Sequence, residues 1–388
     1  MDGMQCVGQV HDVVKTPRAV SASIEIIGLI DEQGNIRTAL DSPPLHGTRL
    51  YSAPYLLVGR ILGIDKDLYI GYLHLTKCPV KLSLSKFVRG HTAVIGKTGS
   101  GKSYTVVTII EELLLKNLPV FIVDPHSEYC YLGAHSEREQ KAHKYYDASP
   151  RSFKVNRISW SADHPIQKQP TTKEYYFRDR LPSRRYGVQD RLSWSHFGII
   201  DSRGKHVALP ALLEKGQATI LDLKGAEPSV VERTVTAVLT NLFTLRRRRE
   251  IKPFVLVLEE AHTFAPERGF GSSSALEIAM TIAKESRKFN MPAIFVTQRP
   301  QLISKTVLAM CQNWFVFKIT NPLDLESVIS MCEGTTPVSR DIVRNLETGT
   351  GLISGMTESP ILVDIRCKRS STGVSTDMIS ELSKFDKN

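Results

Sequence analysis

The sequence predicts an α/β fold: a mostly parallel sheet around a phosphate-binding loop, preceded by a small β-barrel and carrying a partly helical insertion. Three observations predict it. "VIGKTGSGKSYT", residues 94–105, matches G-x-x-x-x-G-K-[ST], with Gly96, Gly101, Lys102 and Ser103 in the fixed places. An apolar strand runs into that loop and a helical periodicity runs out of it. Further along, "VLVLEEAH" delivers two adjacent acids at the end of a second apolar strand.

The bulk numbers set the frame. A chain of 388 residues has room for two or three domains, and 41% apolar with 23% charged residues is the balance of an ordinary globular protein. No run of about 18 uncharged apolar residues occurs, and "MDGMQCVGQVHDVV" lacks the basic start and long apolar core of a secretory leader. Six scattered cysteines with no C-x-x-C pair argue for free thiols in a reducing, cytoplasmic setting and against a disulfide framework or structural zinc. The net charge of +10 favours an anionic partner such as nucleic acid, with a merely basic surface as the plainer alternative.

Taken in order, residues 1–88 read as short strands: "CVGQVHDV", "SASIEIIGLI", "RLYSAPYLLVGRILGI", "LYIGYLHL" and "VKLSLS". Turn chemistry in "DEQGN" and "DSPPLHG" separates them, and strands at this spacing suggest a barrel that removes its own edges. The core is expected over 89–368. "HTAVIG" is a strand entering the glycine loop, and Lys102 to Lys116 is a helix with Val106, Ile109, Ile110, Leu113 and Leu114 on its apolar face. "LPVFIVDP" follows as a strand, completing a βαβ unit and implying a parallel sheet.

The regular pattern breaks at about 131–195, where basic residues (among them Arg151, Lys168, Arg178, Arg184 and Arg191) alternate with aromatics (Tyr145, Tyr146, Trp160, Tyr186, Trp194). This reads as an inserted, partly helical segment, because so long a structureless loop is rare in a compact domain. It suits either nucleic-acid contact or a satellite core. "QATILDL" resumes the sheet, and Ser229 to about Arg249 is a helix ending in "RRRR", cations that suit its negative end. "FVLVLEEAH", "PAIFVTQRP", "NWFVFKI", "GLISG" and "PILVDIR" are strands. "SALEIAMTIAKESRKF" and "PLDLESVIS" are helices, and 369–388 is a polar tail.

Each candidate residue has a chemical reason. Gly96, Lys97, Thr98, Gly99, Ser100, Gly101, Lys102, Ser103 and Tyr104 form the nucleotide cradle, in which glycines let backbone N–H groups converge on phosphate. Lys102 reaches the β- and γ-phosphates of ATP, and the Ser103 hydroxyl ligates Mg²⁺. Glu259 serves the Mg²⁺ water shell, and Glu260 polarises the attacking water, a role only a hydrolase requires. Gln298 ends the next strand, where its amide senses the γ-phosphate or positions water. Arg287, near the end of a helix, is a candidate for neutralising transition-state charge in a neighbouring subunit, with Arg299 and Arg340 as rivals. His126 and Glu128 line either the site or a channel, and the loop 266–275 with Arg268 is either a phosphate grip or a plain connection.

The combination resembles the HerA family of hexameric DNA-translocating ATPases, within the HerA/FtsK branch of RecA-like P-loop proteins. Four blocks carry the resemblance: "GHTAVIGKTGSGKSYT", "VFIVDPHSEY", "VLVLEEAHTFAP" and "IAKESRKFNMPAIFVTQRPQLISKTVLAMCQNWFVFKITNPLDLESV". It implies a homohexamer with ATP at each interface and double-stranded DNA through the middle, a closed head-to-tail ring. It also implies a NurA-type nuclease or other effector on the barrel face, in DNA end processing, repair or defence. Lys102, Ser103, Glu259, Glu260 and Gln298 take the family's site roles by this resemblance, and Arg287 its trans-acting finger. Two features depart from the family pattern: Glu259 stands where an Asp is commoner, and few residues follow Arg369 where the family has longer bracing segments.

A second reading is an ATP-binding ring that holds or regulates a partner effector, with slow hydrolysis as a timer. A secretion or conjugation pump is disfavoured for want of an anchor or large accessory domain. A small-molecule kinase has no use for the acid pair followed by a glutamine-bearing strand.

Overall fold

In the computed structural model the described residues are 5–16, 19–30, 36–37, 49, 51–136, 140–160, 169–177, 199–332 and 337–371. The chain divides into two compact units, Met1–Leu62 and Gly63–Asn388.

In the first unit, β1 (Gln5–Lys15), β2 (Val20–Ile30) and β3 (Ile36–Arg37) form an antiparallel sheet in the order β1-β2-β3. The β1–β2 register shifts at Val7/Gly8 and at Val10/Asp12. α1 (Tyr55–Leu62) closes this unit. Residues 55–62 were expected as a strand. Leu57, Val58, Ile61 and Leu62 fall at the three-to-four-residue spacing of a helix face, and that period prevails.

The second unit is built on one thirteen-stranded sheet. Its elements begin with β4 (Leu68–Leu73), β5 (Pro79–Leu82), α2 (Leu84–Arg89), β6 (His91–Ile95), α3 (Lys102–Leu115) and β7 (Val120–Asp124). Then come α4 (Gln140–Tyr146), β8 (Lys154–Ser159), β9 (Thr172–Phe177), β10 (Ile199–Asp201), β11 (Gln217–Asp222) and α5 (Pro228–Arg247). β12 (Val255–Leu258), α6 (Ala261–Phe264), α7 (Leu276–Glu285), β13 (Ala293–Thr297), α8 (Lys305–Ala309) and β14 (Cys311–Val316) follow. α9 (Pro322–Ile329), α10 (Pro337–Asn345), β15 (Thr350–Ser354) and β16 (Ile361–Ile365) complete it.

The sheet order is β10-β9-β8-β11-β7-β12-β13-β6-β14-β15-β16-β4-β5. From β9 to β14 every pairing is parallel. β10 at one edge and β15, β16, β4 and β5 at the other are antiparallel. The mostly parallel α/β sheet expected from sequence is therefore present. β6, β7, β12 and β13 are buried at every position, as central strands covered on both faces must be.

Two expected boundaries move. Residues 68–82, read as barrel strands, join the large sheet instead: β4 pairs with β16 and β5 with β4. The outer positions of β5 alternate exposed and buried, the signature of any edge strand, so the pattern alone does not say which sheet receives it. No barrel forms among the described residues of the first unit. The inserted segment is also smaller than 131–195, because β8 and β9 lie in the parallel sheet beside β11. Its residues 161–168 and 178–198, with Lys168, Arg178, Arg184, Tyr186, Arg191 and Trp194, fall outside the described residues, as does the tail from 372.

The junction of core and tail is held against α3. Arg366, fully buried, gives one guanidinium nitrogen to Glu111 and another to Glu112 of α3, each at 2.9 Å, and its Nε to the Tyr69 carbonyl at 3.0 Å. The backbone N–H groups of Arg369 and Ser370 also donate to Glu111 Oε1, at 2.9 and 2.8 Å. Residues 366–370 thus form a strap across α3.

Candidate active site

The glycine loop lies between the end of β6 and the start of α3, where parallel strands present their carboxyl ends. Gly99 and Gly101 have φ of 76° and 108°, values that favour glycine, and Gly101 caps α3. At Gly96 a Cβ would lie 2.6 Å from Phe317 Cβ and 2.7 Å from Ser100 Oγ, so only glycine fits between them. The loop is braced internally by Ser100 Oγ donating to the Lys97 carbonyl at 2.6 Å. It is braced externally by Lys97 N–H to Lys318 O at 2.9 Å and Gly349 N–H to Ser100 O at 3.1 Å.

A cleft of about 850 Å³ opens over this loop. Thr98, Gly99, Gly101, Lys102, Ser103 and Tyr104 line its floor, and Glu259, Glu260 and Gln298 line one wall with His126 and Glu128. The sheet order explains the meeting: β13 separates β12 from β6, so the acids and the glutamine flank the loop from adjacent strand ends. Lys97 is exposed and Ser100 is buried under the loop, contributing backbone rather than side chain. Of the two undecided readings for His126 and Glu128, the cleft is where they sit.

The polar groups form one connected set. Gln298 Nε2 donates to Glu260 Oε1 at 3.0 Å, and the hydroxyl of Thr98 donates to Gln298 Oε1. His262 Nδ1 lies 3.2 Å from Glu260 Oε2. Burial by itself raises the Glu260 pKa. The hydrogen bond and charge of His262, with Lys102 and His126, outweigh that and hold it below the usual carboxylate value. Glu260 also has φ of 50°, a left-handed conformation that a non-glycine residue adopts at a cost of about 1–3 kcal/mol.

Glu259 behaves in the opposite way. It is 2% exposed, and burial, with the nearby Glu128, Glu260 and Asp124 carboxylates, pushes it up to about 8 against the bond it accepts from the Tyr129 hydroxyl. Burial pulls Lys102 down from the usual lysine value, opposed by Glu259, Glu260 and Glu128; its Nζ rests 3.3 Å from the Lys97 carbonyl. Two adjacent acids are therefore shifted in opposite directions, Glu259 upward by burial and Glu260 downward by His262, Lys102 and His126.

No group of three or more His, Cys, Asp and Glu side chains able to hold a metal occurs among the described residues. Ser103 and Glu259 line the same cleft, a set that would suit a Mg²⁺ ion taking its remaining ligands from nucleotide and water.

Arg287 is not in this cleft. It sits in the 3₁₀ turn Ser286–Phe289, and its charge, after burial itself, helps hold His91 down to about 4. His91 begins β6 and the glycine loop follows its end, so Arg287 acts on the opposite end of that strand from the loop, ~16 Å away by strand length. Arg246 anchors that turn, donating from Nε to Phe289 O and from Nη1 to Ile251 O, both at 2.6 Å, a use beyond the helix-end charge expected of "RRRR". Arg340 pairs with Glu326 at 2.6 Å, and Arg299 and Arg268 are exposed outside the cleft.

Sequence reading missed the cleft's far wall: Ala142 and Tyr146 of α4, Thr348, Gly349, Ile365 and Cys367. Tyr104 joins it to the strap, accepting from Lys368 N–H at 2.9 Å with Lys368 Nζ 4.8 Å above its ring. The one local signal was glycine: at Gly351 a Cβ would meet Phe317 Cε1 at 2.8 Å, so "GTG" marks close packing on the loop's support.

A family model described as "Helicase HerA, central domain" matches residues 68–173. The "DNA double-strand break repair helicase HerA" of Sulfolobus acidocaldarius is 23% identical over 398 residues, covering 90% of this chain and 79% of that protein. The "Probable DNA double-strand break repair helicase HerA" of Methanocaldococcus jannaschii is 25% identical over 457 residues, covering 94% and 89%. Among solved structures, VirB4 of Thermoanaerobacter pseudethanolicus shares 14% identity and a TM-score of 0.49, over 78% of this chain and 97% of that one. With a P-loop cleft of this build, the chain is similar to HerA helicases along most of its length.

Proposed function

We propose that the protein is an ATP-driven translocase or helicase that works on double-stranded DNA. The observation that carries this is the joined set Thr98–Gln298–Glu260 facing Lys102: a water-activating acid is wired to a residue that touches the phosphate loop. A protein that only stored nucleotide has no use for that wiring. The relatives' names supply the substrate, and the charge of +10 suits sequence-indifferent contact with phosphate.

In this reading Lys102 and the loop amides hold the β- and γ-phosphates of ATP, and Ser103 and Glu259 hold Mg²⁺, which would neutralise charge developing on the phosphoryl oxygens. Glu260 orients water and takes its proton, while Gln298 reports whether the γ-phosphate is present. Tyr146, Ile365 and Cys367 offer the apolar end of the cleft to the base.

The working unit is a homohexamer. Arg287 supports this, because a cation at the end of β6 opposite the phosphate loop would reach a nucleotide only across a subunit boundary. A NurA-type nuclease or another effector docks on the first unit, over 1–62, and receives the DNA, in the cytoplasm. No helix among the described residues is long and apolar enough to cross a membrane. The second reading, an assembly ring with slow hydrolysis, predicts turnover indifferent to DNA.

The test is steady-state ATP hydrolysis with and without linear duplex at two salt concentrations. Stimulation that fades as salt rises is the expected result. Hydrolysis that ignores duplex at both salts rejects the motor in favour of the assembly ring.

A further inference from the structure

The hydrogen bond that Glu259 receives from a side chain comes from Tyr129, a residue 130 positions away in sequence and 1% exposed. Its placement is not incidental to core packing. Asp124, at the end of β7 and fully buried, accepts three backbone N–H groups from the loop that follows: His126 at 3.2 Å, Glu128 at 3.1 Å and Tyr129 at 3.0 Å. Ser127 takes φ of 61° so that the loop can fold back over that carboxylate. The loop is thereby pinned to its own strand end, and Tyr129 is carried inward over the neighbouring strand. That neighbour is β12, whose following residue, Glu259, donates its N–H to the Val123 carbonyl at 3.2 Å. The hydroxyl then closes the gap between the two strand ends.

Phenylalanine would fill the same space without a buried hydroxyl to satisfy, and the acceptor this hydroxyl meets is an acid of the cleft. A buried acid turned toward a cleft by its backbone alone keeps rotational freedom about its side-chain bonds. One donated hydrogen bond removes that freedom at one oxygen. We propose that Tyr129 is a positioning residue for the metal-side acid: its hydroxyl occupies Glu259 Oε2 and leaves Oε1 for the water shell of Mg²⁺. Asp124 in turn positions Tyr129. This rests on the reading of Glu259 as the Mg²⁺-side acid and assigns work to two residues of "VFIVDPHSEY" that the reading left idle.

The experiment is a Mn²⁺ titration, followed by electron paramagnetic resonance, of protein saturated with a non-hydrolysable ATP analogue. Wild type, Tyr129→Phe, Glu259→Gln and the double variant are compared. Nucleotide binding without metal, which the P-loop supports alone, checks that each variant is folded. Tyr129→Phe is expected to weaken Mn²⁺ about 10-fold, the lower range for partners that orient metal ligands. The double variant is expected to be no weaker than Glu259→Gln, because the hydroxyl acts only through that acid. Wild-type Mn²⁺ affinity in Tyr129→Phe, or additive losses in the double variant, overturns the proposal. No loss in Glu259→Gln removes the acid from the metal and fails the underlying reading itself.

Should Tyr129→Phe not bind nucleotide, 3-fluorotyrosine at position 129 keeps the hydroxyl and reports on it. Its ¹⁹F resonance is expected to shift when Mg²⁺ is added to the nucleotide complex, and a resonance that stays fixed overturns the proposal.

Discussion

Gln298 Nε2 lies 3.0 Å from Glu260 Oε1, so the glutamine at the end of β13 holds the acid at the end of β12 while its own oxygen takes the Thr98 hydroxyl from the phosphate loop. The acid is thereby oriented from the strand next door. Glu260→Gln is expected to retain ATP binding and lose hydrolysis by ~10²–10⁴-fold, the range for a general base. Gln298→Ala should lose less in turnover, since the acid survives, and its deficit should shrink in the Glu260→Gln background. Single-turnover hydrolysis and filter binding separate the two effects.

Lys102 is 7% exposed and rests on a loop carbonyl, a contact that phosphate oxygens would replace. Lys102→Ala is expected to weaken ATP binding by at least ~10²-fold while leaving thermal stability near wild type, because it removes a buried cation as well as a ligand group. Calorimetric titration with ATP checks the first part and a melt the second.

Arg287 lies outside its own cleft, near the end of β6 opposite the phosphate loop. Arg287→Ala is therefore expected to keep nucleotide affinity and lose hydrolysis by ~10³-fold or more, as finger arginines do. Mixing it with Glu260→Gln protein should restore part of the activity, since some interfaces then pair an intact acid with an intact arginine. If the mixture stays as inactive as its components, Arg287 does not act in trans.

Glu259 has a folded pKa near 8 against an ordinary 4.5, so the folded protein binds the extra proton between those values. The stability this proton confers is full below about pH 4.5 and is lost as pH rises through about 8. Metal-free protein should accordingly melt lower at pH 8 than at pH 6. Glu259→Gln, which keeps the shape without the titration, should flatten that trend. Equal slopes for the two proteins would detach Glu259 from the effect.

The Arg366 guanidinium and the Glu111 and Glu112 carboxylates are almost wholly out of water. Arg366→Met should cost about 3–5 kcal/mol, the penalty for leaving buried charge without its partner. Because Ile365 and Cys367 flank it in the cleft, the variant should also raise KM for ATP. Chemical denaturation and initial rates test both.

The legible parts of the molecule were those where one local pattern carries the answer. β6, β7, β12 and β13 are short apolar runs ended by glycine, acid or glutamine, and a strand buried on both faces has no other way to read. Lys102, Ser103, Glu259, Glu260 and Gln298 meet in one cleft because each follows such a strand or its loop, a placement the local pattern makes legible. β4 and β5 were placed in the wrong sheet, since alternation identifies an edge strand but not its neighbour. α1 was missed because Leu, Val and Ile serve helix and strand alike. The strap was illegible for a different reason. Arg366 meets Glu111 across 255 residues, and nothing near either one in sequence announces the pair.

That separation bears on biosynthesis. α3 emerges early in translation carrying Glu111 and Glu112 on a face destined for burial, yet the guanidinium that neutralises them is synthesised 255 residues later. At about 5–20 residues per second the helix waits ~10–50 s for its counter-charge. Until then the phosphate loop is built on a helix whose inner face still favours water. The cleft wall formed by Ile365 and Cys367, and the strap that holds it to α3, are therefore among the last parts of the site to be made, after nearly all of the sheet.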